Sequence, residues 1–259
     1  FKQKTAYEIR LSLVGSEMCI RDRFFKDHSY ISFNLNDFTF STEILWDIIK
    51  VGLPASLSMI VMAVGQGVFN KILVHISVET VAAYQVAGRL DMLVFLPIFS
   101  IAASLTTLVG MFYGAKEFEA LRFTIRYGII SALIITIFSS ALVYIFADQV
   151  VRFFTEDESI VLIAVNFLQI FAFAYPFIAV GITTGRVLQG LGKGLPVLVI
   201  TIVRVLGVSA PLALFFVFIM EKSVEWVWYS MMLSTVVAFA IGLTWLVSTI
   251  KKLPVKKSD

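Results

Sequence analysis

Cysteine is almost absent: Cys19 is the only one in 259 residues, so no disulfide framework can form within the chain. Histidine is nearly as scarce, with only His28 and His75, which leaves no basis for a His-rich metal site. No CxxC, HExxH, GxGxxG or P-loop pattern occurs, and no nucleophile–base set points to an enzyme. Charge is thin as well. Asp, Glu, Lys and Arg make up 15% of residues, against about a quarter in an ordinary soluble domain. The net charge of +3 is small. Neither a bound cofactor nor nucleic acid is expected.

What the chain has instead is apolar length. Hydrophobic residues make up 59% of the sequence, with 24 Phe and 4 Trp among them, and mean hydropathy is +0.90. Apolar runs longer than about 18 residues recur, each long enough to cross a bilayer. The fold class is therefore an all-α polytopic membrane protein. Six spans are predicted: Ile44–Ile76, Val81–Tyr113, Phe123–Phe146, Ile160–Leu188, Pro196–Met220 and Val224–Ile250. The second, near 50 Å at 1.5 Å per residue, exceeds a ~30 Å apolar core and must project, tilt or bend, with Pro97 able to supply a bend.

The loops set an orientation. One side carries Lys116, Arg122, Arg126, Lys193 and the four lysines of "KKLPVKKSD"; the other carries only Arg152 and Lys222. The positive-inside rule places the richer side, and both ends of the natural segment, in the cytoplasm of a cell that embeds the protein in its inner or plasma membrane.

The first 23 residues do not fit this pattern. A signal peptide needs a continuous apolar middle, and "QKTAYEIRLSLVGSEMCIRDR" has none. Lys2–Arg23 back-translates into a flow-cell adapter, an index and a transposase-type adapter, so 1–23 reads as a non-native, adapter-derived segment. On that reading the natural sequence starts near Phe24 with earlier residues out of view. It has no cysteine, and its net charge is +1, since the prefix holds five basic and three acidic residues.

Several stretches carry a resemblance. They are "IIKVGLPASLSMI", "ETVAAYQVAGRLDMLVFLPIFSIAASLTTLVGMFYGAKE", "FFTEDESIVLIAVNFLQIFAFAYPF", and "RVLQGLGKGLPVLVI" leading to "RVLGVSAPLALFF". In this order and spacing, across about residues 42–253, the chain resembles the second half of the multidrug and toxic compound extrusion (MATE) family. The resemblance implies one lobe of a twelve-helix transporter built from two six-helix lobes. Residues 24–43 would end the inter-lobe linker, 44–253 would form the C-terminal lobe, and 254–259 would be a basic cytoplasmic tail. The implied function is export of bulky amphipathic or cationic compounds in exchange for H⁺ or Na⁺, by rocking of the two lobes. The implied partners are the missing N-terminal lobe, the small amphipathic or cationic substrates and the lipid bilayer.

Coupling residues of the family do not carry over. One branch has carboxylates in the first and fourth spans of this lobe, and the matching positions here hold Met62 and Ile178. Another branch uses Asp in the N-terminal lobe, so the coupling-ion site is expected there. Met111 stands where the family often has Gln.

Polar groups inside apolar spans are costly and usually face a bundle interior or a cavity. Gln66 and Asn70 share one face of the first span, as cavity-lining amides or as interhelical hydrogen bonds. Gln85 and Arg89 share a face of the second span. Asp91 points away from Arg89 and needs water or a partner on another helix, either as a responsive carboxylate or in a structural ion pair. Arg204 lies roughly 12 Å past Pro196, as a site residue or a snorkelling cation. Tyr175 and Pro176 interrupt the fourth span, together with Thr183 and Thr184. Met59, Met62, Phe69, Phe95, Phe171 and Phe173 are candidates for an adaptable drug pocket. Two alternatives remain. A lipid-linked oligosaccharide flippase of the same superfamily would line its cavity with cations for pyrophosphate, for which only Arg89 and Arg204 are candidates. A non-transporting membrane subunit would have no polar cavity.

Overall fold

The computed structural model describes residues 41–254. The adapter-like segment 1–23, all but the last residues of the linker 24–43, and tail residues 255–259 lie outside the described residues. The chain divides into two units, Phe1–Glu43 and Ile44–Asp259, and the second is the helical body considered below.

Six helices long and apolar enough to cross a membrane follow one another: α1 (Thr42–Ile76), α2 (Val78–Gly114), α3 (Phe118–Arg152), α4 (Glu158–Gly190), α5 (Leu195–Ile219) and α6 (Glu225–Lys251). Their turns are short and alternate between two ends of the bundle. Ser77 starts α2 by accepting from the Thr80 N–H at 3.1 Å, and Asp157 starts α4 by accepting from Ser159 N at 2.9 Å. These caps satisfy donors that a helix start leaves orphaned. Between α4 and α5, Gly192 sits at φ +74°, a backbone setting that glycine adopts without strain.

Most helices outrun the apolar stretches that mark them. The span Phe123–Phe146 lies inside a helix running from Phe118 to Arg152, because Leu121 and Val151, beyond its two ends, are fully buried against neighbours. Pro97 and Pro176 are absorbed within continuous helices. Pro211 coincides with a change of register. On either side of it, at Val203–Ser209 and Phe215–Ile219, α5 adopts wider π-type turns, as in Ala210 N–H to Val205 O and Met220 N–H to Phe215 O (3.1 Å). Proline has no N–H for the ordinary ladder, and the shifted turns surround that gap.

The packing is that of a membrane bundle. α3 buries Gly128, Ala132, Thr136 and Ser140 at four-residue spacing, while Phe123, Ile134, Phe138 and Ile145 are exposed on its outer faces. Small residues let backbones approach, and large apolar ones meet lipid. α4 lies centrally, packed by α2, α3, α5 and α6. The core between α2, α4 and α6 is aromatic: Phe167, Tyr175 and Trp228 are each at most 1% exposed. α1 is the peripheral helix. It meets α5 where Gly65 lacks a Cβ and so admits the Val205 side chain, and where His75 stacks on Phe218 at 4.6 Å.

Candidate functional site

Four helices bring polar side chains together across the bundle. From α4, Tyr175 donates its hydroxyl hydrogen bond to Asp91 of α2. From α2, Gln85 donates to the Asn70 carbonyl of α1 at 3.4 Å. From α5, the Arg204 guanidinium donates to the Met62 sulfur of α1 at 2.8 Å. Tyr84, next to Gln85, lies within electrostatic range of both Asp91 and Arg204.

Aromatic packing holds these groups in place. Tyr84 stacks on Trp228 at 5.8 Å and meets Phe167 edge-on at 5.7 Å. Tyr175 is clasped by Phe95 at 5.6 Å and Phe171 at 6.4 Å. Tyr84, Gly88, Asp91 and Phe95 fall at helical spacing on one face of α2. A Cβ added at Gly88 would meet nothing within 4 Å, so that face opens onto space there.

Several sequence expectations are refined by this geometry. The partner Asp91 needs is on another helix, and it is a phenol rather than a cation: among the described residues Asp91 makes no ion pair. Asn70 makes an interhelical bond, whereas Gln66, on the same face of α1, and Arg89, on that of Gln85, are exposed. Arg204 is half-buried beside Met62. Phe69 and Phe171 belong to the buried core and not to a pocket, while Met59 and Met62 are exposed. Phe173 is 65% exposed, and two residues along α4 from Tyr175 it points to the opposite side of that helix.

Two features escaped sequence reasoning. Tyr84 carried no signal separating it from the other tyrosines. Met62 was placed, but nothing paired it with Arg204, 142 positions away.

The fold defines a class: an all-helical protein whose described residues form six helices long and apolar enough to make it a multi-pass membrane protein. The comparisons give the family. A sequence model of the family described as MatE matches residues 54–215, and the chain belongs to that family of transporters. The chain is 26% identical over 202 residues to the probable multidrug resistance protein NorM of Thermotoga maritima, a match covering 78% of this chain and 44% of that one. It is 27% identical over 171 residues to the probable multidrug resistance protein YoeA of Bacillus subtilis, covering 66% of this chain and 37% of that one. Among solved structures it is similar to a MOP superfamily transporter of Pyrococcus furiosus, described by the reverse polarity of its binding pocket (TM-score 0.84, 31% identity, 98% of this chain and 57% of that one). It is equally similar to MATE in the bent conformation (TM-score 0.83, 31% identity, 96% and 55%). The chain thus spans about half the length, or less, of the relatives it matches.

Proposed function

We propose that this chain is the C-terminal lobe of a secondary-active exporter that exchanges H⁺ or Na⁺ for bulky amphipathic, often cationic compounds. The observation that carries the reading is the meeting of α1, α2, α4 and α5 through Asn70–Gln85, Asp91–Tyr175 and Arg204–Met62, beside the open space at Gly88. Repeat-built transporters bind their cargo between two such halves, near the membrane midplane. One lobe supplies one wall. The neutral amides, the aromatic rings and Met59 and Met62 offer an adaptable apolar surface, and Asp91 offers one negative charge to a cationic cargo. The coupling site belongs to the N-terminal lobe, because Met62 and Ile178 occupy the positions where one branch of the family carries carboxylates. The protein sits in the inner or plasma membrane, with both ends of its natural segment cytoplasmic. A flippase for lipid-linked oligosaccharides would ask for a cationic wall, and here the candidates are Arg89 and Arg204 alone.

The test is efflux of a fluorescent lipophilic cation from a drug-sensitive prokaryotic host. The chain is expressed alone, and also joined behind the N-terminal lobe of the Thermotoga maritima relative. The joined protein is expected to export under a proton or sodium gradient, and the chain alone is expected not to. Robust gradient-driven efflux by the chain alone would overturn both the half-transporter reading and the placement of the coupling site.

A further inference from the structure

On the far side of α4 from the Asp91–Tyr175 bond lies a separate open groove of about 330 Å³. Tyr144 of α3 lines it, with Asn166, Gln169 and Phe173 of α4 and Tyr229 and Met232 of α6. The α4 residues recur at three- and four-residue spacing and so share one face. Asn166 stands nine residues before Tyr175, a half-turn in angle, so the groove and the polar face described above are on opposite sides of the helix. Leu142, Ile145 and Leu233, beside its lining, are exposed and apolar, as on a surface that meets lipid.

The chemistry of the groove is specific. Its polar groups are two carboxamides and two phenols, with no formal charge. The nearest charges along the helices lie one turn outside the groove: Asp148, which accepts from Arg152 at 2.9 Å, and Glu225, which is exposed; Arg152 also pairs with Glu158 at 2.5 and 3.0 Å. The Asn166 Oδ1 is buried and accepts no hydrogen bond from the described residues. A buried polar atom in a membrane bundle calls for a partner, and an acceptor calls for a donor. Depth narrows the choice. Helix α4 is about 50 Å long, so it projects roughly 10 Å beyond each side of a ~30 Å apolar core. Asn166, about 12 Å from the helix start, lies where hydrocarbon gives way to lipid heads.

We propose that this groove binds the head of an uncharged, hydroxyl-bearing lipid in the leaflet at the Arg152–Glu158 end, with its acyl chain running down past Phe173. On binding, the Asn166 side chain turns its Oδ1 toward the groove, where the lipid hydroxyl donates to it and accepts from the Gln169 amide. A phosphocholine head, which has no donor, leaves Asn166 unpaired.

The probe is a monoacylglycerol bearing a diazirine in its acyl chain, added to the full chain in phosphatidylcholine nanodiscs, irradiated and mapped by peptide mass spectrometry. Saturable adducts are expected in the segment around Phe173 and at Tyr144, Tyr229 or Met232, displaced by unlabelled monoacylglycerol. Asn166→Leu, which removes the acceptor and keeps the bulk, is expected to weaken labelling about five-fold, while background labelling at lipid-facing Phe123 is unchanged. Adducts spread evenly over the lipid face would overturn the proposal, as would displacement by extra phosphatidylcholine or by a lipophilic cation. The wild-type map and its competition decide the matter even where the Leu variant does not fold.

Discussion

Asp91 and Tyr175 meet across 84 positions of sequence, and the bond between them is the polar contact on which the candidate wall most depends. Replacing Tyr175 with Phe keeps the ring between Phe95 and Phe171 and removes only the donor. That leaves a half-buried carboxylate without its partner, a loss of about 1–3 kcal/mol. The expected result is a lower thermal unfolding midpoint for Tyr175→Phe in nanodiscs, and a smaller further drop when Asp91→Asn is added, since the two changes remove one interaction. Full additivity would show that the bond contributes nothing. Arg204 and Met62 allow a complementary experiment. The guanidinium already reaches the Met62 sulfur at 2.8 Å, so a carboxylate in that place would find a cation. Met62→Glu is expected to be tolerated with Arg204 present and to destabilise the Arg204→Ala background. The expected coupling of about 0.5–3 kcal/mol is read from thermal unfolding of the four proteins in the cycle. None of these pairings was legible in the sequence. Spacing placed Gln66 with Asn70 and Gln85 with Arg89 on shared faces, but which face meets which helix depends on tertiary packing. Hence the exposure of Gln66 and Arg89, the Tyr84 position and the phenol partner of Asp91 emerged only in three dimensions.

Elements were read better than their interiors. All six spans were visible because a bilayer demands long apolar runs, and such runs are rare outside that setting. Their ends were less visible, because helices such as α3 continue past the apolar stretch wherever packing at residues like Leu121 and Val151 sustains them. The register shifts in α5 had no hydrophobic signature, since π-type turns alter hydrogen bonding without altering composition. Pro211 was the one local hint. The loosest element is α1, whose hold on α5 runs through Gly65, Met62 and His75. Gly65→Val would set a branched side chain where Val205 sits, and overpacking of this kind costs about 1–3 kcal/mol. The strain is expected to release α1 and not the whole bundle. Hydrogen exchange should therefore rise across Met59–Asn70 and stay unchanged in α4. Equal acceleration in α4 would mean that α1 is integral to the core.

At the scale of the whole molecule, the polar wall works only if the bundle sits in the membrane the right way up. The basic residues of the turns and of the last helix argue for one orientation: Lys116, Arg122, Arg126, Lys193, Lys251 and Lys252 gather at one end, whereas the turns at the other end and the residues flanking them carry Arg152 and Lys222. Contacts at the two ends deepen the contrast. Arg152 is already committed to Asp148 and Glu158 at 2.9 and 2.5 Å, so it adds little free positive charge to its side. At the opposite end Arg122 donates to the Leu253 carbonyl at 3.1 Å and Lys193 to Thr249 at 3.4 Å, drawing the last helix and its lysines close to the α2–α3 and α4–α5 turns. Basic residues near span ends resist translocation, so the lysine-rich end is expected to stay in the cytoplasm. The scarcity of cysteine makes the test direct: with Cys19 replaced by Ser, a single new cysteine is the only thiol in the chain. A membrane-impermeant maleimide added to intact cells is expected to label Glu156→Cys, in the turn between α3 and α4, and to leave Lys252→Cys unlabelled until the cells are opened. The reverse pattern would invert the topology. It would also move the acylglycerol groove, at the Arg152–Glu158 end, to the inner leaflet, leaving its chemistry unchanged.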